Sequence, residues 1–164
     1  MKETILLNFF IAFLLINCKV VESNTFLIPV GFKGKVIIIF EQKNGTPTKY
    51  EKGRRIYDIP NDGILLTQFK LAYGLNDSKF YYKDSMDNRV QLTDFNNAEE
   101  SKLSNTVGIF ASGTTGVYGN SGSSTSVTFL AFNVSNYEYL DSISNKVYID
   151  KFKRKVIEKV GHDF

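Results

Sequence analysis

The stretch Lys35-Val36-Ile37-Ile38-Ile39-Phe40-Glu41 decides the fold, because its five central residues are all apolar and four of them are β-branched. A continuous apolar run of this length, without alternation, reads as a strand covered on both faces. Upstream lies Phe26-Leu27-Ile28-Pro29-Val30-Gly31-Phe32-Lys33-Gly34, and downstream the turn dipeptide Asn44-Gly45 closes the segment. Ile56-Tyr57-Asp58-Ile59 and Ile64-Leu65-Leu66-Thr67 read as short strands around Pro60-Asn61-Asp62-Gly63, where Pro presets one turn angle and Gly supplies a positive φ. Lys79–Lys83 and Arg89–Leu92 flank a polar turn, Asp84-Ser85-Met86-Asp87-Asn88, and Val107–Ala111 and Val127–Val134 supply two further core strands. Short strands at this spacing, separated by turn signals, predict an all-β fold, a small antiparallel β-sandwich over residues 26–134.

After Val134 the period changes. Ser135-Asn136-Tyr137-Glu138 has the spacing of a capping box, so a helical segment is expected over residues 135–164. Ile149, Phe152, Val156, Ile157 and Val160 recur at helical spacing, and Gly161 is a suitable terminator. The chain carries 20 Lys plus Arg against 17 acids, and residues 146–164 hold six of those cations with three acids, so the whole excess of +3 sits in this terminal segment. The excess reads as the solvated face of a packed helix, or as a foot on anionic headgroups through Lys151, Lys153, Arg154 and Lys155.

With 164 residues, 43% of them hydrophobic and three Pro, the chain is one packed domain rather than a disordered tail. One Cys and one His leave no intramolecular disulfide and no clustered zinc site. No cofactor and no metal are expected. Glycines 113, 116, 119 and 122 repeat every third residue within a low-complexity stretch, 112–126, that links two strands and contains no Lys. Neither a phosphate-binding P-loop nor a dinucleotide fingerprint fits that context. The stretch reads as a flexible loop, or as a binding loop in which Thr114, Thr115, Tyr118 and Asn120 offer hydroxyl and amide groups to a polar ligand. A serine triad fails, since Gly119-Asn120-Ser121-Gly122-Ser123 misses the nucleophile elbow and His162 lies in the tail. Asp84–Asn88 lacks the closing Glu and ligand spacing of a calcium loop. A scattered pair of carboxylates remains open as a hydrolytic site, although no two acids stand out. With four Arg and no basic stripe interleaved with aromatics, nucleic acid is not an expected partner.

At the N-terminus, Lys2 precedes the apolar run Ile5–Ile16, too short to cross a bilayer and shaped like an export signal over residues 1–17. The sole cysteine, Cys18, follows immediately, and Leu15-Ile16-Asn17-Cys18 resembles a bacterial lipobox with Asn17 in place of the usual small residue. Cys18 is therefore the expected lipid-attachment site, and residues 18–25 a short tether holding the domain to the membrane through acyl chains. Ordinary cleavage after Val21-Glu22-Ser23, giving a secreted or periplasmic domain, is the competing reading.

Phe26–Val36 and Ile56–Thr67 also carry a resemblance. Together with Phe80-Tyr81-Tyr82 and, less faithfully, Phe129–Tyr139, they are similar to a family of bacterial lipoprotein domains of unknown function, over roughly residues 26–140. The pattern departs at Asn133-Val134 and in the basic extension after residue 140. The resemblance implies an exported β-rich domain and brings no catalytic residues with it. A strand, then Asn-Gly-x-Pro, then Gly-x-x-x-Tyr-x-Ile, further resembles the transthyretin-like or carboxypeptidase-regulatory sandwich, at the level of fold only. The expected function is that of a lipid-anchored cell-envelope protein acting as a binding or interaction module on an envelope protein or polysaccharide, and not an enzyme. A two-carboxylate envelope hydrolase and a structural or toxin-neutralising lipoprotein are the alternatives.

Overall fold

A computed structural model describes residues 23–72, 77–95, 105–120 and 122–163; the export segment and Cys18 lie outside these. The described strands are β1 (Asn24–Pro29), β2 (Gly34–Ile39), β3 (Tyr50–Glu51), β4 (Arg54–Asp58), β5 (Ile64–Leu66), β6 (Ser78–Lys83), β7 (Arg89–Leu92), β8 (Gly108–Tyr118) and β9 (Val127–Ser135). Two helices follow, α1 (Leu140–Ser144) and α2 (Lys146–Val160). One sheet has the order β3-β4-β1-β6-β7 and the other β5-β2-β9-β8.

The run that decides the fold is β2, and both of its faces are covered. Val36, Ile38 and Phe40 point between the sheets, where they meet Phe26, Ile28, Tyr57, Phe80 and Phe132. Ile37 and Ile39 point the other way, under Phe152 and Val156 of α2. The inter-sheet core is aromatic at its centre: Phe26 stacks on Tyr57 and on Phe80, and the edge of Phe132 meets both Phe26 and Phe80.

The sandwich is mixed, not antiparallel throughout. β1 is parallel to both β4 and β6, and β2 is parallel to β5. The reason lies in the connections. β1 passes into the opposite sheet as β2, and β4 likewise passes into β5, so Pro60–Gly63 joins two sheets rather than two paired strands. β5 thus re-enters its sheet parallel to β2, and β6 parallel to β1 and β4, whereas β3 returns antiparallel and turns back into β4. The β6–β7 pair, by contrast, is the expected hairpin, and Asp84 accepts within its turn from the Met86 and Asn88 amides and from the Asn88 side chain.

Two further expectations are corrected. The stretch read as a loop over 112–126 is strand as far as Tyr118, with a register shift between Phe110 and Thr114. Ser112 holds this bulge by donating to both carboxylate oxygens of Asp94, at 2.9 and 2.7 Å. Nor does Ser135 begin a capping box. It ends β9, is fully buried, and spends its hydroxyl on the Asn136 carbonyl. Helical structure still begins here, as a 3-10 turn over Tyr137–Tyr139 that leads into α1. The long helix α2 is capped at Asn145, whose Oδ1 accepts from the Tyr148 amide at 2.9 Å, and ends at Gly161 with φ 88°.

Candidate binding groove

Strand direction gives the sandwich two ends. Asn24, at the start of β1, marks the near end, next to the segment leading back to Cys18. β1 runs six residues, about 17 Å, to Pro29 at the far end. There the β1–β2 connection, the β4–β5 connection and one flank of α2 enclose a groove of about 370 Å3.

Each wall is set by local chemistry. Gly63 has φ 75°, and a Cβ there would stand 2.5 Å from the Lys35 carbonyl, so only glycine lets the β4–β5 connection press against β2. Phe32, from the β1–β2 connection, covers the same glycine, and the Tyr82 hydroxyl donates to the Phe32 carbonyl at 2.6 Å. Helix α2 is latched at both ends. The Tyr148 hydroxyl accepts from the Lys35 amide at 3.1 Å, and Lys159 Nζ donates to Asp62 Oδ2 at 2.6 Å and to the Ile64 carbonyl at 2.7 Å. Burial alone would raise the Asp62 carboxyl. The Lys159 hydrogen bond, the Ile64 amide and the Lys159 charge together outweigh it and leave Asp62 below the ordinary carboxylate range.

The groove is lined by Phe32, Lys33, Asn61, Asp62, Tyr148, Lys151, Phe152 and Lys155. Its one carboxylate is committed to Lys159, while Lys33, Lys151 and Lys155 have no carboxylate partner among the described residues. The surface thus joins half-buried aromatic rings, an amide and three ammonium groups. Such a set can hold an anionic ligand that also presents an apolar face. Two other cavities, at Glu41–Lys43 with Gln68 and Lys70, and at Ser78–Phe80 with Gln91–Asp94, hold one carboxylate each.

The residues expected in a binding loop lie elsewhere. Tyr118 is the last residue of β8, paired with Val127 where β8 turns into β9, which places it and Asn120 at the near end. The Thr114 hydroxyl donates to the Ala111 carbonyl inside the bulge, and Thr115 is exposed on the neighbouring position of the strand. Tyr118 stacks on Phe129 and lies beneath Lys153. Thr114 and Thr115 thus lie along β8, and Tyr118 and Asn120 at its end, away from the far-end groove. Of the groove, Asn61 and Asp62 were visible in sequence as turn residues, and Lys151 and Lys155 as helix charge. Tyr148 gave one signal, its place one turn before Phe152.

A family model described as "Family of unknown function (DUF6843)" matches residues 21–142. Among solved structures, the chain is similar to a "Putative Lipoprotein from Bacillus anthracis", with 16% sequence identity and a TM-score of 0.62 over 84% of this chain and 93% of that one. No curated protein matches the sequence.

Proposed function

The chain belongs to the family of unknown function DUF6843, and from that premise we propose that it is an exported, lipid-anchored envelope domain that works by binding, with the far-end groove as its ligand site. The observation that carries this reading is the relation of groove to anchor. Cys18 precedes β1 by six residues, a tether that reaches about 20 Å at most, and the groove opens at the opposite end of β1. A domain held by its near end presents that groove outward. The similarity in fold to a protein described as a lipoprotein supports the anchor.

Binding is favoured over hydrolysis by the groove's charge. A two-carboxylate mechanism needs a free pair of acids about 5–10 Å apart. Here the sole acid of the groove is taken by a lysine.

The test uses the full chain expressed in a bacterial host beside Cys18→Ala, followed by intact mass and fractionation. A diacylglycerol-sized increment and membrane retention, both lost with Cys18→Ala, are the expected result. A soluble chain starting at Asn24 would overturn the anchor. Retention of isolated, delipidated cell envelopes by the protein, reduced by Lys33→Gln/Lys151→Gln/Lys155→Gln, is expected for the binding role.

A further inference from the structure

We infer that the groove takes an acidic glycan, a chain of sugar rings bearing carboxylate or phosphate groups, and not the surface of the membrane that anchors the protein. The inference rests on the binding role proposed above and adds the ligand class. Three features of the groove carry it. First, Lys33, Lys151 and Lys155 converge from two elements on one cavity with no carboxylate answering them, which leaves a local positive field aimed at the opening. Lysine ammonium groups act as point charges and serve carboxylate and phosphate alike.

Second, the charges flank rings. Phe32 and Tyr148 are half-buried in the wall, and Tyr148 is nearly parallel to Phe152, at 8° between planes. A small inorganic anion has no use for an aromatic wall, and an acyl chain has no use for three ammonium groups. A sugar ring presents an apolar face to aromatics and hydroxyls to Asn61 and to the Tyr148 oxygen, whose proton is left to donate because the oxygen accepts from the Lys35 amide. The volume of about 370 Å3 lies within the range of pockets for small molecules and short chain segments.

Third, the topology turns this surface away from the bilayer. The terminal helix was expected to place Lys151 and Lys155 either in solvent or on headgroups. Both are exposed, as on a solvated helix face, and both also line the far-end groove, about one strand length from the end that carries the tether. The start of β1 is flanked instead by Arg54 and Arg55 of β4, whose guanidinium groups are spent on the Asp77 carboxylate, the Asn24 carbonyl and the Lys70 carbonyl.

The full-length lipoprotein in phosphatidylcholine nanodiscs is titrated calorimetrically with tetragalacturonate, pentamannose phosphate and neutral maltotetraose. Saturable binding of at least one acidic oligosaccharide, weakened by salt and absent for maltotetraose, is expected. Lys33→Gln/Lys151→Gln/Lys155→Gln should weaken it about tenfold or more, while the charge-matched Lys43→Gln/Lys49→Gln/Lys70→Gln leaves it unchanged. Equal loss in both triple variants, or in neither, overturns the inference. So does displacement by inorganic phosphate at matched charge, which would make the groove a simple anion site, or abolition in discs rich in phosphatidylglycerol, which would make the bilayer its occupant. If neither acidic oligosaccharide binds but the groove variant still loses its hold on cell envelopes, the glycan falls and the binding role stands. If envelope binding is also unchanged, both fall.

Discussion

Gly63 is where a single backbone position decides whether the groove exists. A side chain there needs φ 75° and a Cβ 2.5 Å from the Lys35 carbonyl. Gly63→Ala should therefore cost about 2 kcal/mol or more, lowering Tm by roughly 4–8 °C in a chain of this size, as read by thermal denaturation. Gly116 is required for a different reason, since its Cβ would meet the Phe129 ring at 2.7 Å. The three-residue glycine period thus has no single cause: 113, 119 and 122 adopt positive φ, and 116 yields space to a ring. Asp62 carries the pH dependence of this end. Its carboxyl lies below the ordinary range, so the stabilisation it brings is complete above the unfolded carboxylate value, near 4, and is lost as pH falls through the lower folded value. Asp62→Asn should remove part of the drop in Tm between pH 7 and pH 3, and a Tm series against pH checks it. Asp62 and Gly63 were legible as turn formers, but their second task, bracing a helix 97 residues away in sequence, was not.

At the scale of the element, α2 turns a sheet into a site. Its period was readable, yet only Phe152 and Val156 of the apolar stripe are buried, and Ile149 is 42% exposed. Phe152→Ala should cost about 3 kcal/mol or more in chemical denaturation, because a cavity would open over Ile37 and Ile39. Ile149→Ser should change stability by less than about 0.5 kcal/mol. Asn145→Ala should cost about 1 kcal/mol by leaving the Tyr148 amide uncapped, and should loosen the groove wall that Tyr148 forms. The helical segment begins where the sequence places it, with a 3-10 turn at Tyr137–Tyr139, but the capping box does not form, because burial of Ser135 at the end of β9 takes its hydroxyl out of reach.

For the whole molecule, β2 is shared by two apolar layers, one between the sheets and one beneath α2. Unfolding either layer exposes it, so the described domain should melt in one transition, with the amides of β2 and β9 slowest in native-state hydrogen exchange. Exchange in β2 that is faster than in the edge strands β3 and β7 would contradict this. By itself the sequence determined that the chain is β-rich, where most strands and turns fall, that β2 is covered on both faces, and that the terminal segment is helical. Those properties follow from side-chain period, β-branching and turn chemistry, all local in the chain. Only the tertiary structure decided that the sheets are mixed, that β8 runs through the glycine repeat, and that Lys33, Lys151 and Lys155 share one groove. Strand pairing and the meeting of Pro60–Gly63 with α2 depend on which buried surfaces fit together across long separations, and no local pattern encodes that choice.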